Sequence, residues 1–123
     1  MIGKICTAAM PYYDKAKKIN SFKKRPVLII GQADRDDYNA LPVSRVTNLL
    51  NISAEYDVYI DITVYPNTHL SCNSYIRCHK QVYVHRASLT VVSDLSTCYP
   101  DLYRYILHKL QDYNNQLICQ DVI

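Results

Sequence analysis

The chain reads as mainly β with one C-terminal α-helix, the elements of a small, strongly curved sheet or partly open barrel. Three observations predict this class. Short apolar runs with a period of two recur through the first ninety or so residues, bounded by turn residues. Only two glycines are present, and tyrosine, a good strand former, supplies twelve of the thirteen aromatics. Beyond Thr97 the period changes: Leu102, Ile106, Leu110, Tyr113 and Leu117 recur at intervals of three and four, the stripe of an amphipathic helix.

The elements follow in order. Ile2 to Met10 is short and β-compatible, and Pro11 is expected to end it. Tyr12 to Phe22 carries charges without apolar periodicity and is expected to be a loop. Pro26 lacks an amide hydrogen and biases Arg25 toward extended geometry, so Arg25-Pro26 opens a strand over Val27 to Ile30. Gln32 to Asp37 is a charged hairpin tip. In Tyr38 to Ser44 the alternation sends Leu41 and Val43 to the core and leaves Ser44 facing out.

A helical turn is expected within Val46 to Ile52. Asp57 to Val64 is the clearest strand of the second half, with Val58, Ile60, Ile62 and Val64 alternating, and the segment after it is loop. Ser74 to Cys78, Gln81 to His85 and Ser88 to Val92 are three more short strands. Ser96 or Thr97 is available to cap the closing helix, whose first turn tolerates Pro100, and Asp101 suits its dipole.

Length and composition bound the function. The 123 residues, taken as one domain over 1–123, are enough for a single core. No apolar run approaches a membrane span and MIGKICTAAM lacks the pattern of a signal peptide, so a soluble cytoplasmic protein is expected. The net charge is only +3, but Lys15, Lys17, Lys18, Lys23, Lys24 and Arg25 fall within eleven residues, which marks an approach for a polyanion. Tyr12, Tyr13, Tyr38 and Tyr83 are candidates to stack on unpaired bases, against the plainer reading that they pack with their hydroxyls at the surface.

Cys6, Cys72, Cys78, Cys98 and Cys119 form no C-x-x-C pair and read as reduced, mostly buried thiols. His69, Cys72, Cys78 and His79 can be written as a zinc set, but structural zinc ligands normally come in tight pairs, and no metal or other cofactor is expected. Asp34, Asp36 and Asp37 read as a solvated tip. The groups best suited to phosphate chemistry are Arg25, whose fork pairs with phosphate oxygens, and Ser44 as a hydroxyl donor on the neighbouring strand. His79 or His85 is a candidate general base.

Arg25 to Ile30, Ala40 to Ser44, Asp57 to Asp61, then Ser74 to Leu89 and the closing helix together resemble the PemK/MazF family of type II toxin–antitoxin toxins, over roughly residues 23 to 117. The resemblance implies an SH3-like β-barrel acting as a homodimer and a metal-independent endoribonuclease that cleaves single-stranded RNA, with an antitoxin protein as partner. It maps the family's catalytic arginine onto Arg25 and its catalytic threonine onto Ser44. Lysine-rich Asp14 to Lys24 replaces the family's usual G-S-E-Q loop. Lys17, Lys18, Lys23 and Lys24, with Lys80 or Gln81 after the fifth strand, are the implied RNA contacts. The alternatives are a non-catalytic RNA- or protein-binding barrel and a CcdB-like toxin that poisons a protein target such as gyrase.

Overall fold

The strand that organises the molecule is Asp37–Ser44, which pairs with three others. In the computed structural model, which describes residues 1–45 and 49–121, it is β3 of a curled antiparallel sheet. The elements are β1 (Lys4–Asp14), β2 (Ile19–Gln32), β3 (Asp37–Ser44), β4 (Asp57–Ile60), β5 (Ser74–Arg77), β6 (Val82–His85), β7 (Thr90–Asp94), a short helix α1 (Leu95–Cys98) and the closing helix α2 (Pro100–Asp121). The sheet order is β4-β5-β3-β2-β1-β7. β3 pairs with β6 through Asp37 to Ala40, then turns to pair Val43 and Ser44 with Ile76 and Tyr75 of β5.

Alternation sorts the apolar side chains onto two faces. Ile5, Leu28, Leu41, Val43, Val58, Ile60 and Ile76 pack inside the curl, where Ile106 and Leu110 of α2 cover them. Cys6, Ala8, Val27, Ile29 and Ala40 take the other face and pack with Val84 of β6. Gly3 ties the start of the chain into this body. Its φ is +86°, its amide donates to the Ile29 carbonyl at 2.7 Å, and its carbonyl accepts from the Ser96 amide at 3.1 Å. A Cβ there would stand 2.5 Å from Ser96 Cβ and Oγ, so both conformation and space require glycine.

Several expectations need correction. The segment expected to be a loop, Tyr12 to Phe22, is instead the far end of a long hairpin, because β1 continues through Pro11 to Asp14 and β2 begins at Ile19. Pro11 lies beyond Thr7, where the β1–β7 ladder has ended, so β1 is an edge strand there and proline is tolerated. Arg25 consequently sits inside β2 and not at its entrance. β4 ends at Ile60 because Asp61 turns the chain: its carboxylate accepts from the Thr63 amide at 2.9 Å and the Thr63 hydroxyl at 2.7 Å.

The expected helix cap is also displaced. Asp94, not Ser96 or Thr97, caps the first helical turn by accepting from Thr97 N at 3.2 Å, and Pro100 then opens α2. Residues 46–48 of the helical turn expected over 46–52 lie outside the described residues, while Leu49–Asn51 forms a 3-10 turn. No helix among the described residues is long and apolar enough to cross a membrane.

Candidate functional site

The β2–β3 ladder runs from the hairpin tip to the pair Val27–Pro42 and stops. Beyond that pair β3 swings toward β5, while β2 stays with β1. A cavity of about 300 Å³ opens where they part. β2 contributes Lys23, Lys24, Arg25 and Pro26, with Thr7 and Val92 beside them from β1 and β7. Opposite stand Val43 and Arg45, and the segment from His69 to Cys72 with Ser74 completes the lining.

Lys23, Lys24, Arg25, Arg45 and His69 thus border one opening, and no aspartate or glutamate among the described residues lines it. Among the described residues no ion pair involves Lys23, Lys24, Arg25 or Arg45. Lysine and arginine exposed beside a concave surface without carboxylates form a region of positive potential, the complement of phosphate.

The structure separates residues that the sequence had grouped. Arg25 reaches the cavity, but Ser44 is not among the lining residues. Continued by two residues, the β2–β3 register would set Arg25 opposite Ser44, yet β3 has by then turned away to pair Ser44 with Tyr75. Lys23 and Lys24 line the cavity, whereas Lys17 and Lys18 lie in the hairpin turn, where the Asp14 carboxylate accepts from Ala16 N and Lys17 N at 3.0 and 3.2 Å. Lys80 and Gln81 are placed elsewhere, because the tight β5–β6 turn brings them toward α2, where Gln81 Nε2 donates to Asn114 Oδ1 at 2.9 Å.

Neither histidine singled out as a base is at the cavity. His85 Nδ1 accepts from the Ala87 amide at 3.0 Å and caps a 3-10 turn. His79 lies beside Asp57, with Nδ1 3.4 Å from Oδ1. Its burial lowers the imidazole pKa, and the nearby carboxylate, already held by Arg77 Nε at 2.6 Å, opposes this only in part. The histidine at the cavity is His69, which the sequence offered only as a zinc ligand. It follows a 3-10 turn over Pro66–Thr68 with φ +56°, a left-handed conformation that a non-glycine residue adopts at a cost of about 1–3 kcal/mol. Buried Thr68 anchors this turn through its hydroxyl to Tyr65 O at 2.8 Å.

The zinc set is divided as well. His69 and Cys72 line the cavity, while Cys78 is buried in the core with its thiol pKa pushed up to about 11, mainly by burial. No cluster of three or more metal-ligating side chains occurs among the described residues. The thiols are less uniformly buried than expected: Cys6 and Cys78 are buried, Cys72 is half-buried, and Cys98 and Cys119 are exposed. In comparisons with known proteins, neither a family model nor a curated sequence matches this chain.

Proposed function

We propose that the chain is a metal-independent endoribonuclease for single-stranded RNA, a toxin of the PemK/MazF kind built on an SH3-like barrel. The observation that carries the reading is the cavity where β2 and β3 part, with Lys23, Lys24, Arg25 and Arg45 around it and no carboxylate lining it among the described residues. In this chemistry the ribose 2′-oxygen attacks the adjacent phosphorus, the P–O5′ bond breaks, and a 2′,3′-cyclic phosphate and a 5′-hydroxyl result. The protein has to hold the phosphate, neutralise charge on its oxygens and move two protons.

Arg25 has the geometry for the phosphate oxygens. His69 is the group at the cavity suited to accept the 2′-hydroxyl proton. Ser44, at the end of β3, is left a secondary role. A homodimer, and an acidic antitoxin segment that occupies the cationic opening, complete the reading. The non-catalytic RNA-binding barrel is favoured by one observation, the absence of Ser44 from the lining.

One experiment separates the two. Single-stranded RNA is incubated with the protein in excess EDTA, alongside the same RNA carrying one deoxyribose 5′ to the scissile phosphate. The nuclease reading expects cleavage of the first, with cyclic or 3′-phosphate ends, and none at the substituted position. Cleavage that survives the substitution, or that EDTA abolishes, contradicts it. Tight binding without any cut leaves the binding barrel.

A further inference from the structure

The hairpin of β1 and β2 outruns the sheet. β7 accompanies β1 only to Thr7 and β3 accompanies β2 only to Val27, so beyond these points the two strands pair with each other alone among the described residues. Directly opposed residues of an antiparallel pair share a face, so the register sorts the side chains of this arm. Thr7–Pro26, Ala9–Lys24, Pro11–Phe22 and Tyr13–Asn20 fall on one face, and Thr7 and Pro26 are also part of the cavity lining. Ala8–Arg25, Met10–Lys23 and Tyr12–Ser21 fall on the other, and Lys23 and Arg25 of that face border the cavity as well, where the two strands end their contact with the sheet.

The face that continues from the cavity carries an unusual load. Phe22 is 71% exposed and Tyr13 57%, although neither is needed to cover a core. A single exposed aromatic requires no explanation, but two on one face, preceded by Lys24 and leading away from a cationic cavity, form a track. Alternate residues along a strand stand about 7 Å apart, a stride that an extended polynucleotide can follow. The charge selects the partner. Between Asp14 and Lys24 the arm holds five lysines and one carboxylate, and that carboxylate is already engaged by the amides of the turn.

We propose that this face of the arm is a second subsite for single-stranded nucleic acid, in which bases leaving the cavity stack on Phe22 and Tyr13 while Lys24 and the turn lysines Lys17 and Lys18 meet the phosphates. The inference rests on the reading of the cavity as an RNA site. It extends that site from one phosphate to several nucleotides, and it assigns the arm a tolerance for base identity, since every base has a face to stack.

The test uses fluorescence anisotropy with deoxyuridine oligomers, which lack the 2′-hydroxyl and are not cut: a dinucleotide, whose single phosphate suits the cavity, and a dodecamer that also reaches the arm. Phe22→Ala and Tyr13→Ala are each expected to weaken dodecamer binding about tenfold and leave the dinucleotide unchanged. Tyr12→Ala, on the opposite face, is expected to leave both unchanged. Replacing Lys17 and Lys18 with alanine should flatten the salt dependence for the dodecamer by roughly 0.7 for each phosphate no longer neutralised, and Phe22→Ala should leave that slope alone.

Wild-type dodecamer affinity in both aromatic variants overturns the subsite. So does a shift in sedimentation from dimer to monomer on Phe22→Ala, which would make the occupant a second copy of the chain. If an all-ribose dodecamer is held through Phe22 and never cut, the subsite stands and the nuclease reading falls. If RNA cleavage depends on Arg25 while the aromatic variants bind normally, the nuclease reading stands and the subsite falls.

Discussion

Arg77 and Arg25 are both arginines on strands of the same sheet, and they are employed in opposite ways. Arg77 donates from Nε to Asp57 Oδ1 at 2.6 Å and from a terminal nitrogen to the Asn51 carbonyl at 2.9 Å. The Asp57 carboxylate is wholly buried, and its other oxygen accepts from the Ser53 amide at 2.8 Å. Around them Tyr113 meets Tyr56 and His79 edge to face, Tyr56 and His79 are tilted against each other, and the Tyr56 hydroxyl reaches Gln116 of α2. Arg25 has no such partner among the described residues. A cation whose charge is answered inside the protein holds the fold, whereas one left at an opening is available to an anion from outside.

The largest effect expected from this contrast is on stability. Asp57→Ala strands Arg77 and the Ser53 amide in a buried setting and should lower unfolding free energy by about 3–5 kcal/mol in urea titrations. A loss below about 1 kcal/mol would mean that the Asp57 cluster is as loosely held as an exposed pair. Arg25→Ala should show the inverse pattern. Thermal stability stays near wild type, while RNA cleavage falls at least a hundredfold, about 3 kcal/mol of transition-state stabilisation. A folded Arg25→Ala protein that cleaves normally would remove Arg25 from the chemistry.

Ser44→Ala sharpens the comparison at smaller scale. Because Ser44 does not line the cavity, its loss should reduce cleavage by about tenfold or less, as for a single neutral hydrogen bond. An effect equal to that of Arg25→Ala would place the hydroxyl at the phosphate.

The smallest effect concerns pH. Burial keeps the His79 pKa below the value of about 6.5 expected in the unfolded chain. The unfolded state therefore takes up the proton first. The His79 contribution to stability is full above about pH 6.5 and is lost as pH falls from there through the folded value. Urea midpoints at pH 8 and 5.5 should differ in this direction, and His79→Gln should narrow the difference. An unchanged gap in that variant would show that another group sets the pH dependence.

The parts of the fold legible in the sequence are those where one face is buried. From Leu41 to Ser44 burial alternates as the pattern of apolar residues predicts, Leu41 and Val43 entering the core while Pro42 and Ser44 do not. Ala40, on the face expected to lie outward, is instead buried against Val84. Leu102, Ile106 and Leu110 mark the inner face of α2, while Leu117, on the same stripe, is 44% exposed near the end of the helix. The arm over residues 8–26 was hidden for the converse reason. Both of its faces are largely solvated beyond Ala8, so no alternation of apolar and polar residues announces a strand.

Half of the candidate site was legible for a similar reason. Arg25 could be picked out by the proline after it. His69 could not, because only the turn over Pro66–Thr68 and the curl of the sheet bring it beside β2. Pairing strands by local pattern gives no information on which distant loop closes an opening.

The adjacency of β1 and β7 bears on how the molecule is made. The outer edge of the first strand is covered by the last, Lys4 opposite Asp94 and Thr7 opposite Thr90, and Gly3 is clasped by Ser96 beyond it. During synthesis that edge stays open until most of the chain has emerged, so the sheet cannot finish from its N-terminal side as it is translated. Contacts so distant in sequence close late and favour slow folding. In the meantime Ile5 and Cys6, fully buried in the finished protein, lie in an exposed strand with a free edge, the kind of surface that recruits chaperones or neighbouring chains.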